Sequence, residues 1–110
     1  MTSIDVSGVV SSMLAAARGV LGEKWPALKE YAQAEMEKLA RTFVQIETLY
    51  KKNQITEGEA SVLFQMQKNT ARAVMLTLEG MSLLLVEQAL NAALAVVKDV
   101  VNGAIGFALL

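Results

Sequence analysis

The sequence predicts an all-α fold, and three observations predict it. From Leu28 to Tyr50, apolar residues step by three and four, the spacing of one helix face. Thr56 and Glu59 form a Thr-x-x-Glu pattern, which opens a helix ahead of a second apolar stretch. Pro26 is the chain's only proline, so no ring interrupts a helix elsewhere. The predicted architecture is a long helical hairpin, over about 24–53 and 57–105, with a short apolar N-terminal helix. All of it is expected to pack into an oligomeric helical assembly. Residues 1–110 form one domain at most.

The first helix is expected from about Ser3 to Leu21. Ser3 and Asp5 offer oxygens to unpaired backbone N–H groups at its start. Val6, Val9, Val10, Met13, Leu14 and Ala17 recur at helical spacing, and Gly19 and Gly22 weaken its end. The second helix begins near Trp25-Pro26, because proline fits the first turn, where its missing N–H is not needed. Leu28, Ala32, Met36, Leu39, Phe43, Ile46 and Tyr50 make its apolar face. Lys29, Glu30, Glu37, Lys38, Arg41, Glu47 and Lys51 fall on the face assigned to solvent. The turn is read at Lys52-Asn53-Gln54-Ile55.

The third helix starts at the Thr56/Glu59 capping box and continues to at least Asn102, with Gly80, Gly103 and Gly106 as weak points. Unbroken, it would be roughly 70 Å long against roughly 40 Å for the second. Its far half would then lack a partner unless the first helix folds back over it or another subunit covers it.

Composition sharpens that difficulty. The chain is 54% hydrophobic and 19% charged, with a mean hydropathy of +0.39. That is more apolar material than so small a domain usually hides. The surplus points to a partner subunit or a lipid surface. Val9, Met13, Leu83, Leu84, Leu90, Leu94, Val97, Val101, Ile105, Phe107 and Leu109 are the expected oligomer interface.

Polar residues of the third helix form a stripe. At about 100° per residue, Gln65, Lys68, Asn69, Arg72, Glu79, Glu87, Asn91 and Lys98 fall within an arc of roughly 140°. The plain reading is a solvated face. The sharper one turns Glu79 and Glu87 inward as ion-pair or metal-binding carboxylates. A third makes Arg72, Glu79, Glu87 and Asn91 a stripe that sets partner register. Ala89, Ala92, Ala93 and Ala95 suit close helix contact, and the methionines suit core filling. Trp25 reads as an anchor at the helix junction.

The missing chemistry narrows function further. Net charge is −1, which gives no basic field for nucleic acid. The chain has neither cysteine nor histidine, which removes thiolate chemistry and the commonest metal ligand and general base. No phosphate-cradling glycine loop is present. No uncharged run reaches the roughly 18 apolar residues of a spanning helix. The N-terminal stretch has Asp5 before its first basic residue, unlike a secretory signal, so a cytoplasmic setting is expected. The expected function is a non-enzymatic, self-assembling structural or scaffolding protein with no cofactor and no metal, its partner being further copies of itself. One alternative is a lipid- or membrane-associated amphipathic helical protein. The other is a carboxylate metal-binding bundle of the ferritin-like kind, for which no histidine completes the motif.

Overall fold

The computed structural model describes residues 4–110. Every element among them is helical: α1 (Val6–Leu21), α2 (Trp25–Lys51), α3 (Glu57–Leu76) and α4 (Leu83–Ile105). Ser3, expected at the first helix start, lies outside the described residues. Asp5 occupies the N-cap position of α1 in extended backbone, but its carboxylate makes no capping hydrogen bond.

Gly22 ends α1. Its φ of +55° is strained for a residue with a side chain, and its N–H closes on the Arg18 carbonyl. One 3-10 turn, Gly22–Lys24, reverses the chain, and α2 starts with Pro26 in its first turn. After α2, Asn53 takes the left-handed conformation at φ +57°, which its short polar side chain tolerates. Thr56 then caps α3. Its hydroxyl accepts from Glu59 N–H at 3.1 Å, and the Glu59 carboxylate accepts from Thr56 N–H at 2.9 Å.

The helix expected over 57–105 is two helices. α3 stops at Leu76 and α4 begins at Leu83. Thr77 Oγ1 donates to the Val74 carbonyl, and Leu78 and Met81 N–H close tight turns on Met75 and Leu78. Gly80 adopts φ +80°, and Ser82 restarts the helix by accepting from Leu85 N–H at 3.2 Å. The reason is burial. A straight rod strands its far half in water, whereas the folded-back α4 lies against both α1 and α2.

The resulting bundle spans 43 × 23 × 18 Å, its long dimension close to the length of α2. α1 packs on α4 and α2, and α2 also meets α3 and α4. α3 touches α2 and α4 but lies apart from α1. Met13, Met36, Leu39, Phe43, Met75, Val86, Leu90 and Ile105 meet in one core. Phe43 and Phe64 stack across α2 and α3 with ring centres 5.7 Å apart.

Past Ile105 the chain turns at Gly106, φ +105°, and doubles back. Phe107 lies against Tyr50, with ring centres 4.7 Å apart. Asn102 clasps the returning strand of chain. Its Oδ1 accepts from Leu109 and Leu110 N–H at 3.0 and 2.9 Å, and its Nδ2 donates to the Leu110 carbonyl at 3.3 Å. The accessible surface is 6091 Å², close to the roughly 5900 Å² of an ordinary folded monomer of this mass. One chain therefore closes its own core.

Candidate functional site

That closure redistributes the residues expected at an oligomer interface. Val9, Met13, Leu90, Leu94, Val97, Val101, Ile105 and Leu109 are buried within the chain, and Phe107 is half-buried against Tyr50. Leu83 and Leu84 stay on the surface, 56% and 68% exposed. The division follows from the break at 77–82. With α4 folded onto α1, the stripe assigned to a neighbour instead covers Val9, Met13 and Ala17.

The same break splits the polar stripe between facing helices. Glu79 sits in the α3–α4 connection and is exposed, as is Asn91 on α4. Arg72 and Glu87 form an ion pair that ties α3 to α4. Arg72 also donates to Asn69 Oδ1 at 2.6 Å, and Gln65 Nε2 donates to the same oxygen at 3.0 Å. Gln65, Asn69, Arg72 and Glu87 thus make a hydrogen-bonded ladder along the α3–α4 seam. Asn69 Oδ1 and Glu87 Oε1 already hold donors from the chain, so the ladder acts as a clamp between helices. Among the described residues, no three His, Cys, Asp or Glu side chains converge to hold a metal ion.

Two carboxylates are buried where the sequence pattern does not place them. Glu47, assigned to the solvent face of α2, is 2% exposed, and Glu35 is equally buried. Three helices pack on α2, so its covered arc is wider than one apolar stripe. Lys38 reaches Glu35 Oε2 at 3.0 Å, and Lys51 reaches Glu47 Oε2 at 3.3 Å. Both lysines stay half in solvent, laying their stems along the bundle. Glu35 Oε1 and Gln67 Nε2 are buried without a hydrogen-bond partner. The periodicity of α2 marks neither Glu35 nor Glu47, because the wider buried arc follows from its neighbours.

A groove of about 250 Å³ runs between α3, α4 and the returning tail. Phe64, Leu94 and Leu109 form its floor, and Lys68, Asn91 and Lys98 line it as well. It is smaller than the roughly 300–1,000 Å³ of small-molecule sites, and it brings no carboxylate, hydroxyl or thiol side chain to the lysines. A larger open hollow, about 550 Å³, lies at the start of α3 between Ile55, Gly58, Val62 and Leu63.

What remains distinctive is apolar surface. Val62 and Met66 on α3 are 59% and 61% exposed. Val96 and Val100 on α4 are similarly bare, beside Asp5, Gly8 and Ser12. Among the described residues, no helix is long and apolar enough to cross a membrane. Comparison with protein-family models, with curated proteins and with solved structures gives no match, so the reading of function rests on the chain's own geometry.

Proposed function

We propose that this chain is a non-enzymatic structural protein that works by associating with copies of itself. One observation carries the reading: after the core has closed, large apolar side chains still stand in pairs on helix surfaces, Val62 with Met66, Leu83 with Leu84, and Val96 with Val100. Val62 with Met66 and Val96 with Val100, each four apart, share a helix face and form patches, and contiguous apolar patches mark association surfaces. Catalysis has little to draw on, since the chain lacks histidine and cysteine and the Arg72–Glu87 pair is engaged in joining α3 to α4.

Size-exclusion chromatography with light scattering tests the proposal at micromolar concentration. The expected result is a mass above one chain that falls on dilution. A single 11.8 kDa species at every concentration, unfolding cooperatively, overturns it.

A second reading, association with a lipid surface, is favoured by Leu83 and Leu84. They stand in the first turn of α4, which follows the half-buried Met81, and the 38% exposed Leu76 ends α3 on the other side of the connection. An apolar tip of this kind suits shallow insertion among lipid headgroups. Co-flotation of the chain with liposomes, lost in Leu84→Glu, is its signature.

A further inference from the structure

We propose that the outer face of α3 is an interface between two copies of this chain, paired antiparallel, with Met66 of each seated in the hollow beside Val62 of the other. The inference rests on the self-association reading above and gives it a surface. Val62, Met66, Asn69, Ala73 and Leu76 step by four, three, four and three. That is the spacing of a coiled-coil seam. All five are exposed, and none is charged. α3 is also the helix that its own chain covers least, since it lacks contact with α1.

Three features select a second copy as the occupant. The first is shape. Met66 is a flexible, protruding side chain, and the hollow at Ile55, Gly58, Val62 and Leu63 is open and mostly apolar. Gly58 has no side chain to fill it, and the nearest atom to a Cβ there would be Thr56 Oγ1 at 3.8 Å. Knob and hollow lie on the same helix face, so one two-fold operation satisfies both at once. The second is polarity. Antiparallel pairing opposes the two helix dipoles, whereas parallel pairing aligns them, and it carries the acid that borders the seam, Glu59 in the first turn, away from the same residue of the partner. The third is hydrogen bonding. With Met66 opposite the partner's Val62, Asn69 falls opposite the partner's Glu59. Asn69 Oδ1 already accepts twice, which leaves its Nδ2 to donate. Glu59 uses Oε1 on its own cap, which leaves Oε2 to accept.

The chain's lack of cysteine makes a direct test available. Chains carrying Val62→Cys and Met66→Cys are mixed under a mild oxidant, beside a control pair in which Thr48→Cys, exposed on α2, replaces one partner. The Val62/Met66 disulfide is expected to form about tenfold faster than the control or more, because proximity raises effective concentration. In parallel, Met66→Lys is weighed by light scattering, with circular dichroism as the folding control. The expected outcome is unchanged helicity with self-association weakened about tenfold or more, since a lysine ammonium would enter a desolvated contact. If Met66→Lys fails to fold, the cross-linking rate alone decides. An assembly that survives Met66→Lys and cross-links no faster than the control overturns this interface and leaves self-association standing. A parent chain that is monomeric at every concentration overturns both. If Met66→Lys keeps its mass but loses flotation with phosphatidylcholine–phosphatidylglycerol vesicles, the seam faces lipid and the paired interface is overturned.

Discussion

Asn102 is where one side chain decides the course of several residues. Its carboxamide holds both ends of the exchange with Leu109 and Leu110. Leu109 N–H has a second acceptor in the Phe107 carbonyl at 2.9 Å, so Leu110 N–H depends on Asn102 alone. Asn102→Ala is therefore expected to cost about 1 kcal/mol, the net worth of a hydrogen bond in a partly buried setting. Amide exchange at Leu110 should accelerate more than at Leu109. Asn102→Asp keeps the acceptor oxygen for both N–H groups but turns a second oxygen on the Leu110 carbonyl, so its exchange should accelerate less than that of Asn102→Ala. Equal acceleration in both variants, measured by NMR, would show that the clasp is not what orders the tail. Glu35 shows the reverse situation. One of its oxygens is paired with Lys38 and the other is buried alone. Side-chain periodicity gives no hint of it, because the residue lies beside Met36 on an arc that only the full set of neighbours reveals.

At the scale of elements, the legible parts are those with local chemistry. The Trp25-Pro26 start, the Leu28–Tyr50 stripe and the Thr56/Glu59 box need no tertiary information, and the structure shows each of them. Thr56→Ala is expected to destabilise the chain by about 1 kcal/mol, the usual worth of such a cap. The check is a lower urea midpoint with an unchanged slope. The break at 77–82 was harder to read. Gly80 alone weakens a helix without ending it, and Ser82 has no acidic residue three positions on to complete a box. Tertiary burial of α4 decides the matter, and that lies beyond any local window. A single helix over 57–105 keeps one phase through the break. That phase puts Glu79, a connection residue, on a helix face, and turns the Arg72–Glu87 contact between two helices into a stripe on one. Gly80→Ala tests the break itself. The added Cβ would lie 2.9 Å from Lys24 Nζ, a flexible end that can move aside, so the cost is that of φ +80°. A left-handed residue with a side chain costs about 1–2 kcal/mol. A drop in thermal midpoint is expected, and a rise would mean that the segment prefers continuous helix.

At the scale of the molecule, most of the apolar material that the composition assigns to a partner is buried within the chain, and Leu83 and Leu84 stay on its surface. A chain of this hydropathy looks unable to bury itself if half of it is a rod, and able to do so once the rod folds in two. The C-terminal segment separates these accounts. Over 100–110 it carries no charge, and the sequence pattern assigns Phe107 and Leu109 to a neighbouring subunit. Leu109 is instead 9% exposed within its own chain, and Phe107 lies on Tyr50. If the tail belonged to an interface, Leu109→Ala would change mass and leave the isolated chain intact. As part of the core it should lower the stability of the chain itself, by about 2 kcal/mol, near the lower end of buried leucine truncations because the site lies at the rim of the bundle. Tyr50→Ala should loosen the same tail from the other side, by removing the ring that Phe107 meets. The decisive comparison places Leu109→Ala in the Met66→Lys background, where the proposed pairing of α3 is disabled. A loss of similar size there and in the parent, independent of protein concentration, assigns the tail to the chain's own core. A loss that vanishes with the α3 contact, or that scales with concentration, assigns it to the assembly.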